Sequence, residues 1–212
     1  MIKTFNFERI IGEITCNTYI IGKVREPFVV VDLGINTDEV IEYAKDHYSK
    51  CEAIVLTHAH FDHIRGISRF LKAFPKTPVY VHKDDVKLLK DAYLNGSELM
   101  NGKKITVDCN VVPFEDGETL KFESCEIKTI HTPFHTEGSS CLLVLDDNAL
   151  FTGDTLFRGS IGRSDLPGGD SRKISSSLSK LCDLNENLVC YPGHGEITSL
   201  GNEFVSNPYL RK

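Results

Sequence analysis

Apolar stretches bounded by turn-forming residues recur along the whole 212-residue chain. In its first half, strand-like stretches alternate with segments of helical periodicity, such as residues 38–49, where Val40, Ile41 and Ala44 share one face and Thr37 is the predicted N-cap. The predicted strands are 14–22, 27–34, 52–58 and 78–82, and the predicted helices are 38–49, 63–74 and 83–93. Consecutive strands follow from about 105 to 153, and then a helix at 171–182, a strand at 188–192 and a short helix at 199–206. This order predicts an α/β (α+β) protein, a four-layered αββα sandwich, with residues 1–212 forming a single domain.

Composition excludes several classes of protein. Hydrophobic residues make up 41% of the chain and charged residues 25%, as in ordinary globular proteins. A net charge of −6 disfavours nucleic acid and anionic membranes as partners. The start lacks the pattern of a signal peptide, and no apolar run reaches the ~20 residues of a membrane span. We therefore expect a cytoplasmic protein, either a monomer or a small homo-oligomer. Its seven cysteines form no CxxC pair and are predicted to be core residues.

The strongest chemical signal is the segment Thr57-His58-Ala59-His60-Phe61-Asp62-His63, directly after a predicted strand. In extended backbone, His58 and His60 point the same way because they are two residues apart. Asp62 and His63 follow where the chain turns into the next helix. This segment can therefore serve two neighbouring metal ions.

Three later segments repeat the design, each with ligand-type residues just past a predicted strand: His131 and His135 in IHTPFHT, Asp154 in FTGDT, and His194 in PGHG. With one of these later histidines, His58 and His60 form a three-nitrogen set that suits Zn²⁺. Asp62, His63 and His194 form a mixed set, and Asp154 can bridge the two ions. The sequence thus predicts two divalent metal ions, with Zn favoured over Fe or Mn.

Together the THxHxDH segment, HTPxHT, TGDTLF and PGHG resemble the motif series of the metallo-β-lactamase superfamily, in its short glyoxalase II-like (hydroxyacylglutathione hydrolase-like) form. The resemblance implies that His135 is the third ligand of the first metal and that His131 is structural. It implies that Asp32 supports the ligand-bearing loop. His47 and His82 match no motif and are expected to be solvated.

The resemblance implies a thioesterase in which a metal-bridging hydroxide attacks the substrate carbonyl and Asp62 orients it as a catalytic residue. The substrate is expected to be a small thioester, which in hydroxyacylglutathione hydrolases is linked to glutathione. Arg163 is the candidate for binding its anionic end. Phe134 stands where the family has Gly, and Glu137-Gly138 replaces a Pro-Gly-like pair. Full-length glyoxalase II also has a C-terminal helical extension that this chain is expected to lack, so glutathione specificity does not follow.

On sequence alone, two other functions stay open and a third is disfavoured. A persulfide dioxygenase of the same superfamily holds one iron, for which His58, His135 and Asp154 would serve. A non-catalytic module with a metal that braces the fold is a further alternative. A β-lactamase is disfavoured because those enzymes usually lack the Asp62-His63 pairing or the bridging Asp154.

Overall fold

The computed structural model describes residues 1–5, 13–35 and 37–210. The first of its two main sheets has six strands in the order β1 to β6. These are β1 Ile2–Phe5, β2 Thr18–Gly22, β3 Phe28–Val31, β4 Cys51–Val55, β5 Val79–His82 and β6 Val111–Phe114. Strands β3 to β6 run parallel to one another. Pro113, which cannot donate to a ladder, is accommodated because β6 is an edge strand.

The second sheet also has six strands, in the order β14-β13-β10-β9-β8-β7. They are β7 Thr119–Lys121, β8 Glu126–His131, β9 Ser140–Val144, β10 Ala149–Gly153, β13 Val189–Pro192 and β14 Thr198–Ser199. Between β10 and β13 lies a small hairpin of β11 Leu156–Phe157 and β12 Ser160–Ile161. Strands β8, β10 and β13 share one direction, because β9 is antiparallel to β8 and β10, and β10 is parallel to β13.

Six α-helices and two 3₁₀ segments complete the described fold. The α-helices are α1 Thr37–His47, α2 Phe61–Ile64, α3 Ile67–Ala73, α4 Ser97–Asn101, α5 Ile174–Cys182 and α6 Leu200–Ser206. The 3₁₀ segments are Lys83–Leu89 and Ser171–Lys173. None of the helices in the described ranges is long and apolar enough to cross a membrane.

Three apolar clusters separate four layers. One packs α1 and α3 on the outer face of the first sheet and includes Val40 and Phe70. A second lies between the sheets and joins residues such as Val31 and Phe151. The third packs α5 and α6 on the outer face of the second sheet and includes Leu178. The predicted fold class, a four-layered αββα arrangement, is confirmed.

Several predicted elements differ from the structure. The helix expected over 63–74 is two helices, because Gly66 N donates to Leu33 O at 3.0 Å instead of to a carbonyl one helical turn earlier. Only glycine fits there, since a Cβ would lie 1.9 Å from Thr37 Oγ1. The α-helix expected over 83–93 is a shorter 3₁₀ segment, and a turn capped by Asp91 follows it. The first strand expected after residue 105, β6, pairs with β5 in the first sheet and does not join the antiparallel strands that follow.

Candidate metal centre

Four loops converge at one edge of the sandwich, each following the carboxyl end of a strand. The loop after β4 carries His58, His60, Asp62 and His63, and the loops after β8, β10 and β13 carry the later candidate ligands. Because β8, β10 and β13 point the same way, their carboxyl ends meet at the same edge. Ser140 N donates to Thr57 O at 2.9 Å and ties the second sheet to the loop of the first.

The structure brings all seven predicted ligand residues together in one cluster. The residues form three overlapping sets, and within each set the potential ligand atoms lie within 4.8 Å of one another. The sets are His58, His60 and His135; Asp62, His63 and His194; and His58, His63 and Asp154. All except His194 are buried.

Asp154 lies between the first two sets. Its Oδ2 is 3.3 Å from His135 Nε2 and 3.4 Å from His194 Nε2, and its Oδ1 is 3.4 Å from His63 Nε2. One carboxylate therefore contacts histidines of both sets, as a bridging ligand would.

The histidines are oriented by hydrogen bonds on the side away from the cluster. His135 Nδ1 donates to Arg163 O at 2.7 Å, and His194 Nδ1 donates to Thr15 O at 2.7 Å. His63 Nδ1 donates to Asp32 Oδ2 at 2.9 Å. Each of these bonds fixes a proton on Nδ1, so that Nε2 is the nitrogen that faces the cluster and the one that would coordinate a metal ion.

Asp32 holds the loop after β4 in place. It is buried, its Oδ1 accepts from Thr57 N at 2.9 Å, and its Oδ2 accepts from Thr57 Oγ1 at 2.8 Å as well as from His63. Its φ of 54° lies in the left-handed region, which costs a non-glycine residue about 1–2 kcal/mol. These bonds hold Asp32 in that strained conformation, and through them the carboxylate fixes both a backbone amide and a histidine ring.

Burial and neighbouring charges set the protonation of the cluster. Burial, reinforced by the neighbouring imidazoles, lowers the pKa of His60 to about 3 and that of His58 well below its usual value. Burial opposes ionisation of Asp62, but the charge of His63 and a hydrogen bond from His194 outweigh it and lower the pKa of Asp62 to about 2. The carboxylate is therefore ionised and His58 and His60 are neutral, as metal coordination requires.

His63 and His194 behave differently. Burial favours their neutral forms, but nearby carboxylates outweigh it and raise the pKa of His63 to about 10 and that of His194 to about 11. The carboxylates of Asp32 and Asp62 act on His63, whereas Asp154 and Asp62 act on His194. These two histidines hold protons that a bound metal ion would displace.

The chemistry of the cluster fits metal ions. Among the described residues, three buried side-chain atoms have no hydrogen-bond partner: His58 Nε2, His60 Nε2 and Asp154 Oδ1. A buried polar atom without a partner costs about 1–3 kcal/mol, and such atoms call for an explanation. All three belong to residues of the cluster, and coordination would satisfy the lone pairs of His58 Nε2 and Asp154 Oδ1. In His60 the nitrogen nearest another candidate ligand is Nδ1, which lies 2.8 Å from His135 Nε2.

Asp85, which the sequence analysis did not identify, joins two of the ligand loops. It is fully buried in the 3₁₀ segment after β5, where Oδ2 accepts from Ala59 N at 3.0 Å and from Thr136 Oγ1 at 2.8 Å. Its Oδ1 accepts from Gly138 N at 2.7 Å. Burial raises the pKa of Asp85, although these donors oppose the shift. The only sequence signal was its place shortly after a strand, in a stretch that reads as an exposed helix.

The remaining histidines lie outside the cluster. His131 Nε2 donates to Glu137 O at 2.8 Å, and its ring stacks on His82 with centroids 3.9 Å apart. The expectation that His82 is solvated is wrong, since it is only 2% exposed and packs between His131 and Phe114. His47 is half-buried and stacks on Tyr43, so it is not freely solvated either.

Arg163 lies at the rim of the site, whereas Phe134 is buried in the core. The Arg163 guanidinium lies at the rim and forms a bidentate pair with Asp165 at 2.6 and 2.7 Å, while its carbonyl orients His135. Phe134 is fully buried in the apolar cluster beneath the second sheet, so it packs under its loop.

A cavity of about 350 Å³ opens onto the cluster. Among the described residues, His60, Asp62, His135, Asp154 and His194 line its floor. The remaining lining residues are Ile14, Phe61, Asn95, Met100, Phe157, Arg163 and Leu166. Its volume is at the small end of the range for ligand pockets.

Comparison with known proteins identifies the family. Residues 11–194 match the metallo-beta-lactamase superfamily, and the chain belongs to it. Over 201 residues it is 33% identical to "Probable metallo-hydrolase YqgX" of Bacillus subtilis, with 94% of each chain covered. Over 183 residues it is 30% identical to "Hydroxyacylglutathione hydrolase GloC" of Haemophilus influenzae, covering 85% of this chain and 86% of the relative. The predicted membership of this superfamily is confirmed.

Two solved structures extend the comparison. The B3 metallo-beta-lactamase BLEG-1 superposes with a TM-score of 0.90 and 32% identity over 100% of both chains. A di-iron-bound form of TTHA1623 superposes with a TM-score of 0.79 and 32% identity, covering 92% of this chain and 95% of the other. The chain is thus a metallo-hydrolase-family protein with clustered His and Asp residues that could hold metal ions.

Proposed function

We propose that this protein is a metal-dependent thioesterase with the site design of hydroxyacylglutathione hydrolases. The observation that carries the proposal is the cluster itself, in which one carboxylate, Asp154, contacts histidines of two complete ligand sets. The name of the similar Haemophilus influenzae protein supports the thioester class. We also propose that residues 1–212 act as one domain, since both sheets contribute ligands to a single site. The seven free thiols suit a reducing compartment such as the cytoplasm.

Two metal ions are proposed, one for each ligand set. His58, His60 and His135 would hold the first, Asp62, His63 and His194 the second, and Asp154 would bridge them. The all-nitrogen first set favours Zn²⁺. The di-iron form of the similar TTHA1623 supports iron as the alternative metal.

When bound, such a pair of ions supplies Lewis-acid polarisation of a carbonyl and a nucleophilic hydroxide at neutral pH. The chain's own groups hold and orient the reactants. The Asp62 carboxylate, ionised because its pKa is about 2, accepts a hydrogen bond from the attacking water and aims it at the substrate carbon. Overall, a C–O bond to water oxygen forms and the C–S bond breaks. The sulfur leaves with the bonding electron pair, and the two water protons pass to the thiolate and to solvent, leaving a carboxylate.

Arg163 is proposed to bind the anionic end of the substrate. Its guanidinium lies at the cavity and is neutralised by Asp165. A substrate carboxylate would therefore have to take the place of Asp165, an exchange between exposed ion pairs of similar free energy.

A second candidate function is β-lactam hydrolysis, which the BLEG-1 structure favours because it superposes over the whole chain. The same cluster would attack an amide carbonyl, but the leaving amine needs a proton that a thiolate does not need. The described cavity has no lysine or tyrosine among its lining residues to donate one.

The test combines three substrates with purified protein loaded with Zn or Fe. Hydrolysis of S-D-lactoylglutathione and other thioesters, abolished by Asp154→Ala, is the expected result. Oxygen uptake on glutathione persulfide without thioester cleavage would contradict the proposal and identify a dioxygenase. Cleavage of nitrocefin in preference to thioesters would identify a β-lactamase.

A further inference from the structure

The cavity above the cluster has an apolar wall. Its described lining includes the side chains of Ile14, Phe61, Met100, Phe157 and Leu166, which come from five separate segments. They face the same space as the candidate ligands of the floor. Whatever part of a substrate extends from the scissile carbonyl into this space meets hydrocarbon and thioether groups.

The polar side chains of the described wall, Asn95 and Arg163, already have partners in the protein. The side-chain amide of Asn95 donates to Leu88 O and Ile105 O, and its carbonyl accepts from Ser97 N. The Arg163 guanidinium donates two of its five N–H bonds to Asp165. A hydroxyl placed against the apolar side chains, away from Arg163, would lose its hydrogen bonds to water, which costs about 1–3 kcal/mol in proteins.

We propose that this wall is an acyl-binding subsite and that the preferred substrate is a thioester of a small apolar acyl group instead of a 2-hydroxyacyl group. The inference rests on the proposed thioesterase function and specifies its substrate. The acyl group occupies the cavity because the side chains of this wall are apolar, whereas carrier thiols are large and polar and are better placed in solvent.

D-lactoyl and isobutyryl thioesters of one thiol form a matched pair, because a methyl group replaces the hydroxyl at the same carbon. Their kcat/KM values, each divided by the rate constant for uncatalysed alkaline hydrolysis of the same ester, give a ratio free of intrinsic reactivity. We expect a corrected ratio of about tenfold or more in favour of isobutyryl. Along the series acetyl, propionyl and butyryl, each methylene should raise kcat/KM about fourfold until the cavity is filled.

Two neighbouring residues of α4 give a variant and its control. Met100 lines the cavity, whereas Leu99 is 53% exposed and is not among the lining residues. Met100→Gln keeps the length of the side chain but adds a polar end, so it should lower the isobutyryl preference severalfold. Leu99→Gln should leave that preference unchanged.

A corrected ratio at or below one, with lactoylglutathione hydrolysed well, would overturn the acyl subsite and leave the thioesterase function standing. Equal effects of Met100→Gln and Leu99→Gln on the ratio would also overturn it. Absence of cleavage for every thioester, by protein with its full metal content, would overturn the thioesterase function itself.

Discussion

Asp85 offers a sharp test of how the site is held together, because it belongs to none of the candidate ligand sets. Its carboxylate accepts three hydrogen bonds from two ligand loops, one from Ala59 N, one from Thr136 Oγ1 and one from Gly138 N. In Asp85→Asn, the amide oxygen can replace Oδ2 and keep two of these bonds. The NH₂ group must then face Gly138 N–H, donor against donor.

The expected loss of stability follows from the unpaired Gly138 N–H. A buried N–H left without a partner costs about 1–3 kcal/mol. For a protein of this size, roughly 2 kcal/mol corresponds to a fall in Tm of about 4–8 °C. Because the two loops carry candidate ligands, we also expect metal affinity to fall about 10–100-fold, as for other residues that support ligands. Asp85→Ala leaves all three donors unpaired and should unfold at still lower temperature.

Calorimetry gives the Tm, and competition with a chromophoric chelator gives the metal affinity. Asp84→Asn is the matched control, since the neighbouring Asp84 carboxylate lies 3.6 Å from His82 Nδ1 and takes no part in these loop bonds. An Asp85→Asn protein with the Tm and metal affinity of the wild type would refute the argument that this carboxylate positions the ligand loops.

Three further predictions concern the surroundings of the cluster. A Cβ on Gly193 would lie 2.3 Å from Asp154 Oδ1, so Gly193→Ala should lower metal affinity in chelator competition about tenfold or more. Gly117→Ala is strained by its φ of 75° but places its Cβ in open space, so it should leave metal affinity unchanged. In Asp32→Asn the NH₂ group must face either Thr57 N–H, donor against donor, or His63 Nδ1, where it forces the ring proton onto Nε2. Either arrangement disturbs the ligand-bearing loop, so we expect metal affinity to fall about 10–100-fold, and wild-type affinity would contradict this. Burial and the neighbouring imidazole lower the pKa of His82 to about 4, so unfolding takes up a proton between about pH 6.5 and 4, and wild-type stability decreases as the pH is lowered through that window. In denaturant titrations His82→Gln should lack this component, and parallel pH profiles of the two proteins would contradict it.

The sequence was sufficient to predict the candidate ligands because each follows an apolar strand closely. The local sequence pattern is enough to identify a ligand at the end of a strand, as with His194 after LVCYP and Asp154 after ALFTG. The structure brings these residues together. That they hold metal in the proposed roles remains a prediction.

The parts that sequence reasoning missed depend on contacts distant in the chain. Asp85 reads as one more charge in KDDVKLLKDAY, and only its burial against residues 26 and 51–53 positions away reveals its role. His82 reads as a surface histidine until β6 and the last residue of β8, His131, cover it. At the break between the two helices Gly66 N bonds to Leu33 O, a distant contact that periodicity within residues 63–74 cannot show.

Metal stoichiometry tests the central claim most directly. Purified protein, stripped and then reloaded with excess Zn²⁺ and freed of unbound metal, should contain about two ions per chain by elemental analysis. Asp154→Ala should bind one ion or fewer, while His131→Asn, altered in the same motif as His135 but outside the cluster, should still bind two. One ion per wild-type chain under these conditions, or equal losses in both variants, would contradict the two-metal site on which the proposed function depends.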